Sequence, residues 1–169
     1  MFTFDNINLE VDKFVIKKDE NTAEIVGLSF GDGSLTRRSN SNKLKFQLRG
    51  DLKEDRLHYD TYVIPLFNRH FMNPLFGRAV SITADGKKNV YGIAIEGTKI
   101  KGEFANLGVP VGRKEELFIP KWILDNKAYV RRFLRGFIDT DGSVSCQRNY
   151  STKNNKFHKQ IRISMACTS

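Results

Sequence analysis

Asp32 and Asp141 each stand at the end of an apolar stretch, and each is followed by a glycine. The later stretch reads Leu134-Arg135-Gly136-Phe137-Ile138-Asp139-Thr140-Asp141-Gly142-Ser143, and the earlier one Ile25-Val26-Gly27-Leu28-Ser29-Phe30-Gly31-Asp32-Gly33-Ser34. Both read as helices that stop at the acid, with the glycine as the break into a strand. Gly27 and Gly31 are four apart, as are Gly136 and Thr140, so each helix carries a stripe of small residues on one face. Two such helices packed through those stripes would end with two carboxylates side by side. That is a place to hold a divalent cation.

The elements that must position this pair follow from the pattern on either side. Residues 1–19 suggest a short strand or arm. Thr22 is the expected N-cap of a first motif helix over 22–32, with Glu24 in its first turn favoured by the helix dipole. After Gly33 the period changes to two. Leu35 begins a strand, a turn is expected over 39–42, and a second strand alternates Leu44, Phe46 and Leu48 with Lys43, Lys45, Gln47 and Arg49. Its polar row repeats about every 6.6–7 Å. Residues 53–72 then predict a helix with Leu57, Val63, Ile64, Leu66 and Phe67 inward, kinked or interrupted at Pro65. A second hairpin, 77–84 and 89–96, turns at Asp85-Gly86. A short helix over 98–107 ends at Gly108, Pro120 suits the first turn of the next helix, and Asn126 to Asp141 carries the second motif. Beyond it, Val144 and Cys146, then Ile161, Ile163 and Met165, alternate with polar residues as a further hairpin.

The chain has 169 residues and a formal net charge of +9, with a pI near 9.6. It is long enough for a real core, and its basic excess favours a polyanionic partner, nucleic acid before a membrane surface. Cys146 and Cys167 fit neither a metal-ligand spacing nor a disulfide framework, which points to a reducing, intracellular setting, cytoplasmic or organellar. No apolar run reaches membrane-spanning length and no signal-peptide pattern opens the chain. The histidines share no ligand spacing; His58 and His70 read as helix-surface or satisfied core residues. No Walker-type loop, zincin motif or nucleophile elbow is present.

The two stretches resemble the paired motifs of the LAGLIDADG homing endonucleases. The second copy, L-R-G-F-I-D-T-D-G, matches well; the first, I-V-G-L-S-F-G-D-G, carries Phe30 where the first acid is usual. The resemblance implies an α+β fold, with an α-β-β-α-β-β-α half-unit and a concave antiparallel sheet over residues 1–125. Residues 126–169 would open a second, pseudo-symmetric unit that stops after its first hairpin. It also implies a site-specific endonuclease using Mg²⁺, or another divalent cation, on double-stranded DNA. Asp32 and Asp141 would be catalytic carboxylates and metal ligands, joined by the backbone carbonyls of Gly31 and Thr140. Hydrolysis without a covalent intermediate needs an activated water and charge stabilisation, which two divalent ions can supply. The family usually adds basic residues around the metals, and Lys114, in a Gly-X-Lys loop like that of intein-type members, is the expected one in the catalytic set, with Lys99 and Lys101 as alternatives. Gly50-Asp51 replaces the Gln-Lys pair of some relatives, and Asp139 reads as structural. Gly27, Gly31, Gly136 and Thr140 form the expected helix interface.

The DNA-facing set is Arg37, Arg38, Lys43, Lys45, Gln47 and Arg49 from the first unit, with Gln147, Arg148, Lys153, Lys159 and Arg162 from the second. Their long side chains can reach phosphates and major-groove base edges. Two other readings stand beside the endonuclease: a non-cleaving, maturase-like module that binds DNA or intron RNA, and an inactive remnant. The origin could be an intron or an intein. Because the second unit is short by its internal repeat, its apolar row is expected to be covered by another copy of the chain or by a separate C-terminal piece.

Overall fold

The computed structural model describes residues 16–37, 44–97, 99–112, 114, 117–151 and 156–165. Expectations for 1–15, the turn over 39–42, Arg38, Lys43 and Lys153 lie outside these residues. Helix α1 (Glu20–Phe30) is followed by β1 (Gly33–Arg37) and β2 (Leu44–Asp51). A helical run then comprises α2 (Arg56–His58), a π-helical turn Tyr59–Val63, α3 (Ile64–Phe67), a second π-helical turn Asn68–Met72, and α4 (Asn73–Phe76). Strands β3 (Ser81–Asp85) and β4 (Val90–Gly97) lead to α5 (Lys99–Leu107), α6 (Lys121–Leu124), α7 (Lys127–Asp141), β5 (Gly142–Ser151) and β6 (Lys156–Met165). The fold is α+β, in the helix-hairpin-helix-hairpin-helix order that the sequence predicts.

The first four strands form one antiparallel sheet in the order β1-β2-β4-β3. Strict alternation on β2 sends Leu44, Phe46 and Leu48 into the core, each at most 2% exposed. Phe46 stacks on Phe104 of α5 with ring centroids 4.4 Å apart and on Phe67 of α3 at 5.8 Å. The apolar row is therefore roofed by helices, and the Lys45, Gln47 and Arg49 row lies on the other side. Strands β5 and β6 form a separate two-stranded sheet that leaves Ile161 and Ile163 exposed.

Several local expectations change. Helix α1 starts two residues earlier than Thr22: Asp19 is the N-cap, its carboxylate accepting from the Thr22 amide at 2.9 Å. The Thr22 hydroxyl instead donates to Lys17 O at 2.7 Å. The helix also ends at Phe30, so Asp32 lies just beyond it, whereas Asp141 is the last residue of α7. Pro65 does not interrupt the helical run. Each π turn comes just ahead of an X-Pro step, Ile64-Pro65 and Asn73-Pro74. Widening the turn moves the preceding carbonyls out of the way of a ring that cannot donate to them. The same widening changes the facing of residues on either side, which is why Leu57 is 74% exposed while Val63, Leu66 and Phe67 are buried.

The second hairpin turns one residue later than the expected 85–88. Asp85 pairs with Val90, leaving a four-residue loop in which Asn89 takes the left-handed conformation (φ 52°). The Asp85 carboxylate accepts from the Lys87 and Lys88 amides and holds that loop. Gly108 does end α5 as expected: at φ 86° it lets Val109 donate back to Phe104 O at 2.9 Å.

Candidate active site

Helices α1 and α7 pack backbone to backbone because small residues meet at each crossing point. A methyl group on Gly27 would lie 2.1 Å from Phe133 O, and one on Gly136 would lie 2.4 Å from Glu24 O. At the far end a methyl on Gly31 would fall 1.7 Å from Thr140 Oγ1 and 3.5 Å from the Asp141 carboxyl carbon. Thr140 Oγ1 is held over the helix by its contacts with Gly136 O and Phe137 O. All four interface residues named from the sequence thus lie in the contact. Phe30, where a motif acid is usual, packs edge-on to Phe133 at 5.3 Å, and Asp139 lies 3.9 Å from Arg135 on the same helix.

The packing brings the two motif aspartates into one electrostatic site. Burial, and then the negative charge of Asp141, push the Asp32 carboxyl up to about 6, while Lys114 opposes the shift and Asp55 adds to it. Lys114 comes from the loop after α5. Its Nζ donates to Phe30 O at 2.8 Å and also to Gly31 O. Burial lowers the Lys114 pKa, and Asp141 and Asp32 raise it. Lys99 is exposed at the start of α5, and the Lys101 side chain lies outside the described set.

The oxygen donors are the two carboxylates and the helix-end carbonyls, which suit a hard divalent cation. Among the described residues no group of three or more His, Cys, Asp or Glu forms a metal cage.

On the sheet, Lys45, Gln47 and Arg49 share one face, and Arg49 is exposed. The neighbouring strand places Glu96 opposite Lys45, with Nζ 3.4 Å from Oε1, so this row is less cationic than β2 alone suggested. Arg37 does not belong to it. Its register partner is Leu44, which puts Arg37 in the core-facing row of Leu35, at an exposed end. On the second sheet Arg162 is exposed and pairs with Ser145, while Gln147 pairs with Gln160. Arg148 pairs with Lys159 in the same register. Asp51, in the place of the relatives' Gln-Lys pair, accepts from the Lys53 and Glu54 amides and shapes the turn.

Sequence reasoning missed two features. Glu24 is fully buried, accepting from Tyr62 Oη at 2.5 Å and paired with Arg132 at 3.0 Å and Arg135 at 3.4 Å. The signal was present: Glu24 stands three residues before Gly27, and Arg132 and Arg135 stand four and one before Gly136. Beside Asp32, Asp55, His58 and Tyr59 line a cavity of about 20 Å³. There His58 Nε2 is buried without a partner, and burial, with Asp32 and Asp55, raises the Tyr59 pKa. Only the helical run's path, with its π turns, brings these groups to the site.

The fold is similar to that of solved homing endonucleases, the family whose motifs the sequence resembles. Variants of the homing endonuclease I-DmoI superpose with a TM-score of 0.55 at 16% identity, covering 80% of this chain and 67% of theirs. An I-DmoI variant in complex with its target DNA, nicked in the coding strand, in the presence of manganese gives 0.52 at 15% identity, covering 86% and 88%. The meganuclease I-SmaMI bound to uncleavable DNA gives 0.50 at 15%, covering 85% and 66%. No protein-family model and no curated protein matches the chain in sequence. Among the described residues, no helix is long and apolar enough to cross a membrane.

Proposed function

We propose that this chain is a site-specific DNA endonuclease that hydrolyses phosphodiester bonds at the Asp32–Asp141 pair with divalent cations. The observation that supports the reading is the meeting of α1 and α7 through Gly27, Gly31, Gly136 and Thr140, together with the electrostatic coupling of Asp32 to Asp141. Asp32, Asp141 and the carbonyls of Gly31 and Thr140 would hold the cations. Bound there, Mg²⁺ or Mn²⁺ supplies activation of water and stabilisation of charge on the phosphate. The chain's own groups do the rest. The carboxylates must be ionised to act, Lys114 sets the local charge, and Lys45, Gln47 and Arg49 position the duplex through phosphates and base edges. Solved I-DmoI structures with DNA and manganese support the choice of partner and ion class.

The first unit, residues 1–125, supplies one half-site surface, and 126–169 opens the second. Ile161 and Ile163 are exposed on β6. A plasmid-nicking assay with Mg²⁺, with Mn²⁺ and with chelator tests the reading. Nicking should require the ion and be lost in Asp32→Asn and in Asp141→Asn. Salt-dependent DNA binding with no nicking in any ion would favour a maturase-like binding module instead.

A further inference from the structure

The ammonium of Lys114 and a bound divalent cation would share an oxygen. Nζ donates to Phe30 O and Gly31 O, two carbonyls at the end of α1 that have no intrahelical partner of their own. The last turn of α1 carries no basic residue, so a side chain from a distant loop meets the negative end of that helix. Asp141 and Asp32 are the acidic groups that act on this ammonium. Lys114 is therefore seated as a cation against the carbonyls and carboxylates that the proposed metal site requires.

We propose that Lys114 is the placeholder cation of the metal-free site. It compensates Asp32, Asp141 and the end of α1 until a divalent ion arrives, and it must then release the Gly31 carbonyl. The inference rests on the metal reading above. Two positive centres on one carbonyl oxygen repel at short range, and the half-buried setting screens them only in part. Lys114 should therefore weaken metal binding while stabilising the metal-free fold.

Calorimetric titration of Mn²⁺ into the wild-type chain, Lys114→Met and the Asp32→Asn/Asp141→Asn double variant tests this, with thermal melts in chelator and in Mn²⁺. Lys114→Met keeps much of the chain length and loses the charge. It should bind Mn²⁺ about fivefold tighter or more, melt lower than wild type in chelator, and gain more from Mn²⁺. Unchanged or weaker Mn²⁺ affinity in Lys114→Met would overturn the proposal. If wild type and the double variant bind Mn²⁺ equally, the metal reading itself fails and the placeholder role falls with it.

A second measurement needs no variant. In ¹⁵N-lysine spectra the Lys114 ammonium should give a protected signal that is lost or shifted as Mg²⁺ saturates the site. A signal indifferent to saturating Mg²⁺ would also refute the exchange.

Discussion

Replacing Gly27 by alanine is the most direct test of the paired-helix site. The added methyl would lie 2.1 Å from Phe133 O, 2.9 Å from Phe133 C and 3.1 Å from Phe133 Cα. Ordinary contact begins near 3.4 Å, so the backbones must separate by about 1.3 Å. No rotamer change can relieve this, because the obstructing atoms are main chain. A gap of about 0.5–1 Å forfeits a quarter to a half of each dispersion contact along the seam. The expected cost is about 3 kcal/mol, the top of the usual overpacking range, and Gly27→Leu should cost more. With an m-value of about 2 kcal/mol/M, the urea midpoint should fall by about 1.5 M. Gly102→Ala is the control: it lies in α5 with nothing within 4 Å of the added methyl. There alanine should stabilise by about 0.5–1 kcal/mol through helix propensity. A Gly27→Ala cost below about 1 kcal/mol, at an unchanged m-value, would refute the close-packed seam. The fraction of Gly27→Ala that still folds should bind Mn²⁺ more weakly, since the carboxylates move apart.

The remaining predictions concern charge. The Asp32 carboxyl is raised to about 6, so the folded state holds its proton more tightly than the unfolded chain. Its contribution to stability is thus fully present below the ordinary carboxylate value and lost as pH rises through about 6. Melts in chelator should show Asp32→Asn removing that part of the pH dependence. Arg132→Met leaves buried Glu24 with only Tyr62 and Arg135, and chemical denaturation should show a loss of about 1.5–3 kcal/mol. Lys45→Ala should weaken binding to all DNA sequences and lower the salt slope by about 0.9. Arg49→Ala should relax preference at one base position by about 1–3 kcal/mol if it reads a guanine.

The sequence by itself determined whatever is local and periodic. The alternation on β2 was enough to name its buried and open rows, because side chains on a strand change face at every residue. The two small-residue stripes, each followed by an acid and a glycine, were enough to expect α1 and α7 to meet through Gly27, Gly31, Gly136 and Thr140. Contact between backbones needs small residues wherever they occur. Tertiary structure decided what depends on partners distant in the chain. Lys45 faces Glu96 only because β2 lies beside β4. Leu57 turned outward because the π turn after it shifted the face of the helical run, a change invisible to a fixed period. Glu24 became a buried ion-pair centre rather than a first-turn acid because Arg132, Arg135 and Tyr62 converge on it from two other helical segments. Lys114 and Asp55 came to influence Asp32 through loop paths that carry no periodic signal. Electrostatics depends on distance in space, and distance along the chain does not encode it.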